Sequence, residues 1–436
     1  MKVVHLCTQD FGGAGNAAYR LHKGLQTIGI DSTFIVLDKK SKDPSVKIIP
    51  DNQQNESSYC NSPDSYSSSR MKLMWKYWSD MLTEYPGRTK GLEIFTDNTC
   101  SVRLDLVKEI TEADIVNLHW VAGMINFKEL PSSLKEKNLV WTLHDMNPFT
   151  GGCHYTGQCN KFLSSCNACP QLGSINQKDK SYYSFGEKGE AYKELQINIV
   201  TPSKWLGDEA KRSSLFSKFE IDVIPYVLPL DVFKMYEKDE LRKKLNIPLN
   251  KKIILFGAND VMNNRKGFSL LLEALDIFSI QNKDDVILGI FGDLPPGTPI
   301  QSKYQVLNFG TINSENTLAL VYSLSDVFVL PSLEDNLPNT VLESLACGTP
   351  VVAFNIGGMP DMISQRKTGY LADEGDIKDL AEGISWTLRN NSNDALRNAC
   401  REFVVKHYDL QIQANTYLQK YHEIMNRNST GQSGGK

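Results

Sequence analysis

Two doubly wound α/β domains are the fold class that this 436-residue sequence predicts, and three observations carry the prediction. Short apolar runs with strand character are separated, in several places, by helical patterns, the signature of parallel sheets built from βαβ units. The runs fall into two series, one on either side of Pro225 and Pro229. The length suits about two or three domains, each able to bury a core of its own.

The first series comprises residues 3–7, 32–37, 115–118, 140–143 and 197–200; the second comprises 252–257, 286–292, 306–310, 327–330 and 351–354. A last helix is predicted over about 411–426. After Asn428 the chain turns polar and Gly/Ser-rich, which reads as a disordered tail. The expected organisation is a Rossmann-like domain over 1–228 with a Cys-rich loop at 151–170, a second over 229–404, a C-terminal helix over 405–427 and a tail over 428–436.

Charge and hydropathy exclude some partners. Lys plus Arg number 47 against 51 Asp plus Glu, a net charge of −4, which argues against a general nucleic-acid binder. The N-terminal apolar run is too short for a signal peptide, and no stretch of about 18 uncharged apolar residues occurs, so a cytoplasmic protein is expected. Residues 52–69 form a polar, Ser-rich stretch. Met71 to Leu82 then bring aromatic, apolar and basic residues at helical spacing. Such a helix either rests on a membrane surface or packs on its own domain.

The most informative stretch follows the predicted strand 327–330. It reads Pro331-Ser332-Leu333-Glu334-Asp335-Asn336-Leu337-Pro338-Asn339-Thr340, and a helix then runs to Ala346 and closes at Gly348. The backbone N–H groups around Asn339 and Thr340 would point out of a helix N-terminus, a place that suits a diphosphate. Asp335 and Glu343 lie eight positions apart. Read alone, Asp335 would cap a helix and Glu343 would be a solvated charge. The whole stretch, however, resembles the E-x7-E donor-sugar signature of retaining family 4 glycosyltransferases with the GT-B fold, and Gly357-Gly358-Met359-Pro360-Asp361 extends the match. The resemblance implies that Glu343 accepts hydrogen bonds from a ribose diol and that Asp335 faces sugar hydroxyls.

Weaker motifs agree with it. Gly12-Gly13-Ala14-Gly15 after the first strand is similar to the family's GG-x-G loop, which would put Gly13 and Gly15 near donor phosphates or the acceptor; a tight structural turn explains it equally well. Arg265-Lys266-Gly267 resembles the family's K-G, in which the Lys contacts the diphosphate. The family's Arg directly after the strand-ending Gly is Ala258 here, so Arg265 either reaches the same phosphates or the loop takes a different donor geometry. Outside that context Arg265 and Lys266 would be a solvated surface pair. Asn117-Leu118-His119 is similar to the family's H-x-H, whose second His hydrogen-bonds the transferred sugar. His144 and Asp145 end the next strand in the same way, on the expected acceptor side.

Cys153, Cys159, Cys166 and Cys169 fall within 17 residues of a polar, Gly-rich loop. C-x5-C and C-x2-C spacing in a cytoplasmic chain favours a structural zinc site over disulfides or four unliganded thiols, with His154 able to replace one sulfur. The remaining Cys7, Cys60, Cys100, Cys347 and Cys400 are scattered and read as plain thiols.

The resemblance implies a retaining glycosyltransferase that moves a sugar from a nucleotide diphosphate sugar, UDP-sugar favoured, to a glycan or lipid-linked acceptor in surface polysaccharide synthesis. His119, Asp335 and Lys266 would carry the chemistry without a catalytic metal. The C-terminal helix would cross back to the first domain, and a lipid-linked acceptor would bring peripheral contact with the inner face of a membrane. Two alternatives stay open: a nucleotide-sugar epimerase on the same scaffold, and a non-catalytic nucleotide-sugar-binding protein.

Overall fold

A computed structural model describes residues 1–49, 66–99, 102–278, 285–295, 297–300, 302–390 and 394–431. Cys60, Cys100, most of the Ser-rich stretch and the end of the tail lie outside the described residues. The chain divides into two compact units, Met1–Val227 with Gln411–Lys436, and Leu228–Leu410. Each is a Rossmann-like parallel sheet with helices.

The first unit holds β1 (Lys2–Gln9), β2 (Asp31–Asp38), β3 (Val46–Ile48), β4 (Ile115–Leu118), β5 (Asn138–Thr142), β6 (Ile197–Thr201) and β7 (Ile221–Val223), in the order β3-β2-β1-β4-β5-β6-β7. Every neighbouring pair is parallel. The central strands are buried along nearly their whole length, as parallel strands covered on both faces must be. The helix Tyr66–Leu82 turns Met71, Met74, Trp78 and Met81 into the core of this unit, so its apolar face is already occupied. Trp75 is a large apolar side chain that it leaves outside, 43% exposed.

From Gln411 onward the terminal helix Leu410–Gly431 belongs to the first unit. Asn117 Nδ2 of β4 donates to Tyr421 Oη (2.9 Å), and Lys420 pairs with Asp222 of β7 and with Glu220. A buried amide and a pair of carboxylates therefore fasten a segment far away in sequence.

The second unit holds β8 (Lys252–Asp260), β9 (Val286–Asp293), β10 (Gln305–Gly310), β11 (Val327–Leu330), β12 (Val351–Phe354) and β13 (Gly369–Ala372), ordered β10-β9-β8-β11-β12-β13 and parallel throughout. Buried Asp326, just before β11, accepts from Ile253 N (2.7 Å), Arg242 Nη2 (2.6 Å) and Lys238 Nζ (3.0 Å), tying the helix Lys238–Lys244 to the sheet.

Three strands go beyond those expected from apolar runs: β3, β7 and β13. All lie at sheet edges, where one side needs no partner and Val-Lys-Ile, Ile-Asp-Val or Gly-Tyr-Leu-Ala suffices. No helix among the described residues is long and apolar enough to cross a membrane.

Candidate functional site

In the second unit the acidic residue of the loop after β11 is held by cations from the loop after β8. Asp335 is 4% exposed, and its Oδ2 accepts from Lys266 Nζ at 2.6 Å and from Ser332 Oγ at 3.0 Å, with Arg265 Nη1 at 3.3 Å. Arg265 Nη1 also donates to Glu334 O (2.8 Å), and Leu333 N donates to Arg265 O (2.8 Å), so main chain and side chains lock the two loops together. Burial alone would raise the Asp335 pKa; the charges of Lys266 and Arg265, with the Lys266 and Ser332 hydrogen bonds, outweigh it and hold the carboxyl below its ordinary value. Lys266 and Arg265 are mostly buried rather than a solvated surface pair.

Two glycines make this approach sterically feasible. Gly267 has φ +74°, and a Cβ there would lie 2.0 Å from Pro331 O; Gly357 has φ +52°, and a Cβ would lie 1.9 Å from Asp335 O. The K-G and G-G motifs are thus the contact surfaces on which the Asp335 loop rests.

Glu343 lies on the helix Asn339–Ala346 and is 3% exposed, with its Oε2 accepting from Tyr322 Oη (3.2 Å). It is neither a solvated charge nor is Asp335 the helix cap. Pro338 occupies the cap position, no side chain caps the helix, and its first turn carries no acidic residue. Asn339 and Thr340 are only half-buried, so the positive end of this helix can be reached. Ala258, where the resemblance expects Arg, is a buried residue of β8 whose carbonyl abuts Gly292.

In the first unit a line of imidazoles runs from the middle of β1 past the ends of β4 and β5. His5 Nδ1 and His119 Nε2 are 2.9 Å apart, His119 Nδ1 and His144 Nε2 3.0 Å, and His144 Nδ1 and Tyr226 Oη 2.7 Å. His5 and His119 are fully desolvated, and burial pushes both well below the ordinary imidazole pKa, with neighbouring imidazoles adding to the shift. His144 is lowered to about 4 by burial, partly opposed by Asp145. All three are neutral at pH 7. Each neutral ring donates from one nitrogen and accepts at the other, so fixing the proton at Tyr226 fixes every tautomer along the line. Asp145 pairs with His154 Nδ1 (2.7 Å) and accepts from Asn147 N (2.9 Å). Burial works to raise the Asp145 carboxyl, yet it stays below its ordinary value through the charge and hydrogen bond of His154.

Gly13 and Gly15 stand at the start of the helix Gly12–Thr27. A Cβ on Gly15 would meet Gln9 O at 2.6 Å, which accounts for that glycine by packing; around Gly13 there is open space.

Cys153, Cys159, Cys166 and Cys169 line one small cavity as free thiols. The expected zinc site finds no support here: among the described residues no group of three or more His, Cys, Asp or Glu side chains is disposed to hold a metal ion. Three of these cysteines are instead part of the apolar core beside Phe95 and Phe162. Polar contacts fold the loop: Lys161 Nζ donates to Asn167 O and Ala168 O, Asp179 Oδ2 accepts from Cys169 N, and Thr150 Oγ1 donates to Cys153 O. His154 is turned to Asp145 and Thr96.

Residues 237–407 match the family described as Glycosyl transferases group 1. The matched segment contains Arg265, Lys266, Asp335 and Glu343. The putative teichuronic acid biosynthesis glycosyltransferase TuaC of Bacillus subtilis is 26% identical over 237 residues, covering 53% of this chain and 58% of that protein. The putative colanic acid biosynthesis glycosyl transferase WcaC of Escherichia coli is 23% identical over 277 residues, covering 62% and 65%. The chain thus spans less than two thirds of the length of either relative. Among solved structures, sucrose-phosphate synthase from Thermosynechococcus elongatus superposes with a TM-score of 0.65 at 17% identity, covering 98% of this chain and 100% of that one. Anabaena HepE in complex with UDP and glucose gives 0.61 at 13% identity, covering 96% and 99%. These structural likenesses carry the fold.

Sequence reasoning missed His5, Ser332, Tyr226 and Tyr322. Ser332 lies three positions before Asp335, a spacing that could have been read; His5 is hidden in an apolar strand, and Tyr226 and Tyr322 reach their partners only through tertiary packing.

Proposed function

We propose that this chain is a retaining glycosyltransferase that moves a sugar from a nucleotide diphosphate, UDP favoured, to a glycan or lipid-linked acceptor in polysaccharide synthesis. The observation that carries the reading is the cluster of Lys266 and Arg265 on Asp335 beside an uncapped helix start. A departing nucleoside diphosphate gains charge as the bond to its sugar breaks, and fixed cations and helix N–H groups stabilise that charge without reorganising.

In this reading Lys266 and Arg265, with the N–H groups at Asn339 and Thr340, hold the diphosphate. Glu343, oriented by Tyr322, accepts from the ribose diol, and Asp335 accepts from a sugar hydroxyl while holding Lys266 in place. His119 contacts the transferred sugar, His144 and Asp145 serve the acceptor side, and Gly13 leaves room for close ligand approach, with Gly15 packing the turn beneath it. The acceptor oxygen attacks the anomeric carbon on the face that the phosphate leaves. The electron pair of the broken C–O bond goes to the phosphate oxygen, and that oxygen takes the acceptor's proton. The protein's share is positioning and electrostatics, and the reading asks for no catalytic metal. A lipid-linked acceptor would add peripheral contact at the inner face of a membrane. The names of TuaC and WcaC support a polysaccharide context, and UDP in the HepE structure supports the donor class.

The test is release of nucleoside diphosphate from UDP-, GDP- and ADP-sugars with and without acceptors, with the anomeric configuration of the product read by NMR. Acceptor-dependent release with retained configuration is expected. Epimer formation without acceptor favours the epimerase, and binding without turnover favours a non-catalytic protein.

A further inference from the structure

The first unit carries a groove that the motifs above leave unused. It is a run of three cavities that share lining residues. A small one, about 20 Å³, is lined by His119 and His144 together with Asp97 and Asn98. Asp97 and Asn98 pass into a second of about 600 Å³, walled by Asn126, Asn176, Lys178 and Tyr183. Tyr183, Lys128 and Glu187 are shared in turn with a third of about 530 Å³, where Tyr182 is added. The two larger cavities each fall within the range of small-molecule sites, and together they make an extended trough.

The chemistry of the walls selects the occupant. Asp97, Asp179 and Glu187 stand against Lys128, Lys178 and Lys180, and the charges largely pair within the wall: Lys128 with Glu187 at 3.0 Å and Lys180 with Asp97 at 3.7 Å. The middle cavity is balanced in this way and the other two add only acidic groups, Asp145, Glu190 and Glu194, so the trough does not attract polyanions or an anionic membrane. Tyr182 and Tyr183, at the start of the helix Lys180–Lys193, are 40% and 55% exposed, with ring centroids 5.4 Å apart and planes at 81°. Exposed aromatic faces beside amide donors are what the C–H faces and hydroxyls of sugars need. Asn126 and Asn176 give their side-chain carbonyls to Lys128 N and Lys178 N, which fixes each amide with its NH2 group as the remaining donor.

The floor is preorganised. Asp97 accepts from Tyr77 Oη (2.7 Å) and Thr99 Oγ1 (2.9 Å), Asn98 Nδ2 donates to Ser184 O (2.9 Å) and Glu187 Oε2 (3.1 Å), and Lys180 N donates to Tyr85 Oη (3.1 Å). The trough has a direction, since its narrow end is the pair His119 and His144.

We infer that this trough binds an oligosaccharide acceptor, a glycan chain of low net charge whose growing end lies toward His119 and His144. The inference rests on the glycosyltransferase reading for the word acceptor, but the binding site itself does not. Because Tyr182 and Tyr183 are exposed, replacing them leaves the core intact.

The experiment measures binding of the full chain to neutral oligosaccharides of increasing length on a glycan array, and transfer kinetics to the best of them, for wild type and Tyr182→Ala/Tyr183→Ala. Affinity is expected to rise with chain length. The double variant is expected to lose roughly tenfold in affinity and to raise KM for the oligosaccharide by a similar factor, while UDP affinity, measured by calorimetry, stays at the wild-type value. Equal oligosaccharide affinity and KM in wild type and variant overturn the inference. So does a variant that loses binding to phosphatidylglycerol vesicles while keeping oligosaccharide transfer, which makes the tyrosines a lipid contact. Wild-type glycan binding that the variant loses, without nucleoside diphosphate release from any donor, upholds the trough and fails the transferase reading.

Discussion

Lys266 Nζ sits 2.6 Å from Asp335 Oδ2, joining two residues 69 positions apart that stood in separate motifs. A lysine assigned to phosphate and a carboxylate assigned to sugar hydroxyls are thus one ion pair. The carboxylate sets where the ammonium points, so the position of this cation is fixed by the two loops themselves.

Lys266→Ala removes the closest of the two cations and leaves Asp335 buried with Arg265 and Ser332. Donor turnover, followed as nucleoside diphosphate release, is expected to fall on the order of a hundredfold, the scale of losing one fixed electrostatic contact to a developing charge. Because Arg265 remains, stability measured by denaturant unfolding should fall by only about 1–3 kcal/mol, below the cost of fully orphaning a buried charge.

Glu343→Ala should raise the donor KM roughly tenfold or more, since a lost hydrogen bond to a charged acceptor costs about 1.5–3 kcal/mol. Tyr322→Phe removes the hydroxyl that orients Glu343 and adds no bulk, so a smaller change of the same sign is expected. Steady-state kinetics with varied donor separates the two.

The buried imidazoles make the first unit acid-sensitive. His144 has its pKa lowered from 6.5 to about 4. A histidine harder to protonate when folded adds no penalty above the unfolded pKa and loses stability as pH falls from about 6.5 to about 4, because the unfolded chain then binds more protons. His144 alone accounts for about 3 kcal/mol across that window, and His5 and His119 shift in the same direction. Unfolding free energies measured through that range should decline with falling pH; a flat profile would show that the imidazoles are not desolvated.

Cys153, Cys166 and Cys169 are expected to resist thiol reagents until the chain unfolds. Burial raises all three thiols, Cys166 to about 12, so little thiolate exists near neutrality. Ellman's reagent with and without denaturant checks this, and fast modification of the folded protein would contradict the packed loop.

The sequence made the central strands legible because they are buried on both faces and therefore read as continuous apolar runs. Edge strands such as β7, Ile-Asp-Val, send no such signal. Residue types at the candidate donor loop were legible from motif spacing, whereas the pairing of Lys266 with Asp335 and of Glu343 with Tyr322 required the sheet to bring separate loops together. His5 shows the reverse difficulty, since a polar residue in an apolar strand looks like an exception until its partner His119 arrives from β4. The spacing of the four-cysteine loop did not decide its role, because ligand-like spacing is equally compatible with thiols used as small apolar groups.

The most direct measurement is the affinity of UDP, and of GDP and ADP, for wild type, Lys266→Ala and Glu343→Ala by titration calorimetry, with circular dichroism confirming that each variant is folded. One nucleotide should bind the wild type, and each variant should bind it at least roughly tenfold more weakly. Wild-type affinity in both folded variants, or no binding of any of the three nucleotides to the wild type, would contradict the account.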